Sequence, residues 1–109
     1  MLHGLTMKPH LLDPGSALSP ETRLRFAQHG ALVSAEYQGG LVFRGYLVGR
    51  LDGDTLEFRY VQLSHDGRVD SGQSRCEVTS TGTGGIQLVE RFAWETRGGV
   101  GTNVFVQCE

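Results

Sequence analysis

With 109 residues, 39% hydrophobic and 20% charged, the chain is long enough for one domain with its own core and too short for two. A net charge of −2 offers no basic footprint for nucleic acid or an anionic membrane, and no apolar run approaches the ~20 residues of a spanning helix. Two cysteines, Cys76 and Cys108, form neither a disulfide framework nor a metal-ligand spacing, and no basic-then-apolar leader opens the chain, so a cytoplasmic protein with free thiols is expected.

Residues 1–20 contain all three prolines and no sustained period, and they read as a tail. Within them Leu11 and Leu12 are candidates for a short edge strand ahead of the turn signal Asp13-Pro14-Gly15. Met7 is a second candidate start, which would leave residues 1–6 as an extension. The domain proper is expected over residues 21–109.

From Thr22 onward apolar and polar residues alternate, as in half-buried strands. Leu24 and Phe26 oppose Arg23 and Arg25 up to the turn His29-Gly30; Val33, Ala35 and Tyr37 then oppose Ser34, Glu36 and Gln38 up to Gly39-Gly40. In residues 41–51, Phe43, Gly45, Leu47, Gly49 and Leu51 share a face, with Arg44, Tyr46, Val48 and Arg50 on the other. Asp52-Gly53-Asp54 leads into Leu56, Phe58 and Tyr60, which alternate with Glu57, Arg59 and Val61. After His65-Asp66-Gly67, the residues Gly72, Ser74, Cys76 and Val78 form a face of small side chains. The clearest strand is 86–96, where Ile86, Leu88, Phe92 and Trp94 make an apolar face with Glu90 in its middle. In the last strand Val104, Val106 and Cys108 are expected inside, alternating with Asn103, Phe105 and Gln107.

Strands joined by tight turns, with no helical period between them, imply an all-β fold. Seven long strands, eight with the N-terminal one, cannot stay open with one apolar face. The expected architecture is an antiparallel up-and-down β-barrel, a meander of seven to eight strands without substantial helix. A two-sheet sandwich is the alternative, but it needs longer crossovers than the chain provides.

Hairpin pairing sets Phe58 opposite Ser74 and Leu56 opposite Cys76, with Glu57 beside Arg75 outside. Val78 opposite Leu88 then places Cys76 across from Glu90, and Trp94 opposite Val104 places Cys108 on the other side of Glu90. The inner face mixes rings (Phe26, Tyr37, Phe43, Phe58, Tyr60, Phe92, Trp94) with small residues such as Gly45, Gly72 and Ser74. That mixture either fills a narrow barrel or leaves a pocket for one small ligand. A buried Glu90 is a ligand anchor or acid/base if unpaired, and a structural group if it meets Tyr37, Tyr60, Gln62 or water. The candidate ligand-binding residues are Tyr37, Tyr60, Glu90 and Trp94. Neither the histidines, in the tail and turns, nor the Gly-rich residues 81–85, with no helix after them, suggest a metal or phosphate site, and no cofactor is expected.

Glu21-Thr22, Glu36-Tyr37-x-Gly39-Gly40, Gly45-x-Leu47-Val48-Gly49, Arg59-Tyr60 and Leu88-x-Glu90-x-Phe92-x-Trp94 resemble a group of small bacterial proteins that often carry the label N-acetylglutamate synthase. That group usually has Trp where this chain has Phe92. The label implies acetyl transfer from acetyl-CoA, which in the common acetyltransferase fold uses a strand-to-helix Q/R-x-x-G-x-G/A turn; the chain has no such motif. At the level of fold the expected barrel is similar to the calycins, namely lipocalins, fatty-acid-binding proteins and avidin, and that resemblance implies a small molecule bound inside. The leading expectation is thus a non-enzymatic barrel with a small, partly apolar ligand. The alternatives are a structural or interaction module with a filled barrel, acting through its surface or as a homodimer with outward Val42, Tyr46, Val48, Val61 and Leu63 as its apolar patch, and an enzyme using Glu90 as acid/base.

Overall fold

The computed structural model describes residues 1–108. Its strands are β1 (Thr6–Leu11), β2 (Arg23–His29), β3 (Leu32–Gly39), β4 (Val42–Asp52), β5 (Thr55–Ser64), β6 (Val69–Ser80), β7 (Ile86–Trp94) and β8 (Val100–Cys108). Each pairs antiparallel with the next, and β8 pairs with β1, so the sheet closes into an eight-stranded barrel without an edge. The described residues contain no helix. This is the expected all-β, up-and-down, calycin-like barrel.

Alternation sets the inside. In β5, Leu56, Phe58, Tyr60 and Gln62 are buried while Glu57, Arg59, Val61 and Leu63 are exposed. The β5–β6–β7 registers are those expected: Phe58 faces Ser74, Leu56 faces Cys76, Val78 faces Leu88, and Cys76 faces Glu90. Outside, Arg75 reaches Glu57 at 2.9 Å. The small inner residues make room for rings. A Cβ on Gly45 would strike the Tyr37 ring, and one on Gly72 would strike the Tyr60 hydroxyl and the Ala93 carbonyl.

Three expectations are corrected. A bulge between Val42 and Arg44 shifts the β4 register by one residue, so upstream of it the faces exchange. Val42 is 1% exposed and belongs to the core; Phe43 is 51% exposed and is no interior ring. In β8, Glu90 faces Asn103 rather than Cys108, because Phe92 pairs with Gly101 and Ala93 with Val100. That register differs from the expected one by an odd number of residues, so Asn103 and Phe105 point inward while Val104, Val106 and Cys108 lie half-buried on the other face. The physical reason is that residues 104–106 are apolar on both faces, and the larger Phe105 takes the interior opposite Leu88. Finally, the first strand is Thr6–Leu11, upstream of the Leu11-Leu12 expected. Leu2 and Met7 are fully buried, and the Leu2 N–H donates to Gln28 Oε1 at 2.8 Å.

The β1–β2 ladder has only two pairs, Thr6↔Arg25 and Met7↔Leu24. Beyond Met7 the chain leaves β2 and follows β8, and the long β1–β2 connection returns past the end of the barrel where Trp94 lies.

Candidate functional site

Six inward polar side chains from five strands meet near one end of the interior: Tyr37 of β3, Tyr60 and Gln62 of β5, Ser74 of β6, Glu90 of β7 and Asn103 of β8. Glu90 is 6% exposed. The Ser74 hydroxyl donates to its Oε2 at 2.6 Å, and Asn103 Nδ2 donates to its Oε1 at 3.0 Å. Burial raises the Glu90 carboxyl above its ordinary value, and these two hydrogen bonds to the anion offset part of the rise.

Next to this pair, the Tyr37 hydroxyl donates to Gln62 Oε1 at 2.9 Å, which leaves Gln62 Nε2 facing inward with its hydrogens. Neither Gln62 Nε2 nor the Tyr60 hydroxyl has a hydrogen-bond partner, and both are buried. Burial, reinforced by the Glu90 charge, pushes both tyrosine hydroxyls to higher pKa, so they stay protonated donors. Cys76, across the strand pair from Glu90, is also pushed up, first by burial and then by Glu90, and is therefore an unreactive thiol.

Rings form the rest of the wall. Tyr60 meets Trp94 edge-on at 5.4 Å and Phe58 at 6.2 Å, while Phe92 meets Trp94 at 6.0 Å. Together with Leu24, Phe26, Leu47, Leu88 and Phe105 they line a cavity of about 30 Å³. Ser16, Ala17 and Leu18 of the β1–β2 connection complete its wall.

All four candidate residues, Tyr37, Tyr60, Glu90 and Trp94, line this one cavity. The two tyrosines do not bond Glu90; Ser74 and Asn103 do, and Tyr37 takes Gln62 instead. Asn103 is the residue that sequence reasoning misses, because its strand has no clean alternation. Asp70 is missed too. It is a second buried carboxylate, 2% exposed, accepting from the Thr96 hydroxyl at 2.8 Å and paired with Arg68 at 3.0 Å and Arg97 at 3.6 Å. Arg97 also lies over the Trp94 ring at 5.1 Å, so the Asp70 cluster braces the β7–β8 connection against the site.

The arrangement can hold a small apolar body against the rings and satisfy it with donors from Tyr60 and Gln62. No curated protein and no solved structure matches the chain. The family described as Avidin-like protein matches residues 1–108, which is nearly the whole length and the whole barrel, and the chain belongs to that family.

Proposed function

We propose that the barrel interior binds a small, partly apolar molecule presenting a hydrogen-bond acceptor to Tyr60 and Gln62, beside Glu90 and against Trp94. The observation that carries this reading is the pair of buried polar atoms, the Tyr60 hydroxyl and Gln62 Nε2, without partners. An unmade buried hydrogen bond costs about 1–3 kcal/mol. A guest that satisfies both gains binding free energy from a defect already present in the fold. Membership of an avidin-like family supports the same place, since avidin and other calycins hold small molecules inside the barrel.

The test is a metabolite panel read by thermal shift and by fluorescence of Trp94, the single tryptophan. A ligand is expected whose affinity drops about tenfold in Tyr60→Phe, the effect of losing one well-placed hydrogen bond. A ligand that binds Tyr60→Phe and wild type equally would refute the assignment. Incubation with acetyl-CoA and glutamate is the competing experiment: product made by wild type and lost in Glu90→Gln would turn the site into a catalytic one.

A homodimer is the second reading, favoured by one observation. Phe43, Tyr46, Val48, Val61 and Leu63 are all exposed on the outer faces of β4 and β5, with Tyr46 directly across from Val61. The rim of this patch carries both signs, Glu36 with Arg44 at 3.1 Å and Arg59 with Glu95 at 2.7 Å. A second copy of the chain, presenting the same mixture, complements it better than a surface of one sign. Light scattering should give a dimer mass for wild type and a monomer mass for Val48→Glu; a monomeric wild type at high concentration would end this reading.

A further inference from the structure

We propose that residues 13–18 form a displaceable lid over the barrel interior, fastened by the same Asn103 and Trp94 side chains that line the cavity. The inference rests on the interior being the binding site, and it states how that site opens.

The lid is not part of the sheet. Among the described residues, 13–18 make no backbone-to-backbone hydrogen bond to a strand; their one such bond is internal, Ser16 N–H to the Asp13 carbonyl at 2.9 Å. Every tether to the barrel runs through a side chain. The Asp13 N–H donates to Asn103 Oδ1 at 3.0 Å, and Trp94 Nε1–H donates to the Gly15 carbonyl at 3.2 Å. Asn103 Nδ2 donates to Ser16 Oγ at 3.4 Å, and the Thr102 N–H donates to Asp13 Oδ2 at 3.2 Å.

The ends of the segment are held differently. Upstream it continues from β1, where Leu11 pairs with Val104. Downstream Thr22 is fully buried, its hydroxyl accepting from the Ser19 N–H at 3.1 Å and donating to the Gly39 carbonyl at 3.3 Å. A segment fixed at both ends and tethered between them only by side chains is a flap that can lift as a unit.

The fastenings and the site compete for the same groups. The Asn103 amide serves Glu90 Oε1, Ser16 Oγ and the Asp13 N–H at once. A guest that takes a hydrogen bond from Asn103, or packs against the Trp94 indole, removes lid tethers as it binds. The lid also fills the mouth: Ala17 lines the cavity and Leu18 packs against the core. With these side chains in place the cavity of about 30 Å³ has room for only a water or two. A guest of several heavy atoms needs Leu18 and Ala17 moved aside, and its apolar part takes over the contacts they leave. The closed barrel is therefore the ligand-excluding state.

Hydrogen exchange of the ligand-free protein tests this without any ligand, so a negative metabolite screen leaves the result standing. Trp94→Phe keeps the ring and removes the tether to Gly15; Asp13→Ala removes the tether to Thr102; Asn103→Ala removes two. Lifting the lid frees the Asp13 and Thr102 N–H groups, whose acceptors lie across the lid contact, so Trp94→Phe is expected to speed exchange at both, and Asp13→Ala at the residue-13 amide, about fivefold or more, the change that loss of one ordinary hydrogen bond produces. Exchange in β5 and β6 should stay as slow as in wild type in the Trp94→Phe and Asp13→Ala variants. The proposal is overturned if these two amides exchange no faster than those strands and neither of these two variants changes them. It is equally overturned if these amides and the strands speed up together, because the segment would then be an integral part of the barrel.

Discussion

Asn103 stands directly across the β7–β8 ladder from Glu90 and donates to its Oε1 at 3.0 Å, while its own Oδ1 accepts the Asp13 N–H at 3.0 Å. One amide thus links the interior carboxyl to the segment over the mouth. Without the Asn103 and Ser74 hydrogen bonds the carboxylate would keep no hydrogen bond, and its ionised form would be less favourable still.

The protonation of Glu90 sets a pH dependence with a definite sign. Burial raises its pKa in the folded chain above the ordinary value of 4.5 that the unfolded chain has. Between those two values the folded state holds a proton that the unfolded state has released, so stability falls as pH rises through the window; above the folded pKa the full loss persists. Glu90→Gln has no such titration. Its urea midpoint relative to wild type should climb as pH rises above the unfolded value of 4.5, and level off only above the folded pKa. Parallel curves for the two proteins would show that Glu90 is not the buried titrating group.

The close approach of Tyr60 to β6 predicts an asymmetric response to adding one methyl group. A Cβ at Gly72 would meet the Tyr60 hydroxyl and the Ala93 carbonyl, and the second of these is backbone that cannot step aside. Gly72→Ala should therefore lose about 1–3 kcal/mol, the usual range for overpacking a filled core. Gly82→Ala, where a Cβ meets nothing within 4 Å, should leave the denaturation midpoint unchanged. Equal effects at the two positions would contradict the packing.

These contacts bear on what a chain discloses before it is folded. Strands β5, β6 and β7 are legible because charged or polar residues such as Glu57, Arg59, Gln73, Arg75, Glu77, Gln87 and Arg91 recur between the inward ones, and Glu57 with Arg75 marks the register from outside. The inward position of Glu90, and its neighbour Cys76, follow from that. Residues 41–43 and 104–106 are three apolar residues in a row, and a period of two cannot choose their faces. The bulge in β4 and the register of β8 are decided by tertiary packing. The lid leaves no local pattern either. Its fastenings join Gly15 to Trp94 and Asp13 to Asn103, which are 79 and 90 positions apart.

The bulge gives two adjacent apolar residues opposite fates. Val42 is 1% exposed inside the barrel, whereas Phe43 is 51% exposed, edge-on to His65 at 5.8 Å. Val42→Ala should cost about 1.5 kcal/mol by loss of two buried methyl-sized groups, and Val42→Asp should prevent folding. Phe43→Ser, although it removes the larger side chain, should cost well under half as much as Val42→Ala. If Phe43→Ser proves the more damaging by chemical denaturation, the bulge lies elsewhere and the strand keeps a single alternation.

The two cysteines report on the β8 register directly. Under the register with Trp94 opposite Val104, Cys76 and Cys108 would both sit inside beside Glu90, and neither would meet solvent in the folded state. In the observed register only Cys76 is interior, at 1% exposed, while Cys108 is half-buried on the other face and pairs with Thr6 of β1. Thiolate is the reactive form, and burial pushes the Cys76 thiol upward, with the Glu90 charge adding to it. A neutral alkylating reagent under native conditions should therefore label Cys108 first, and peptide mass spectrometry should find one modification per chain. Cys76 should react only at the rate at which the barrel opens, and that rate should rise with urea, whereas Cys108 labelling should not. Protection of Cys108 equal to that of Cys76 would place β8 in the other register and remove Asn103 from Glu90.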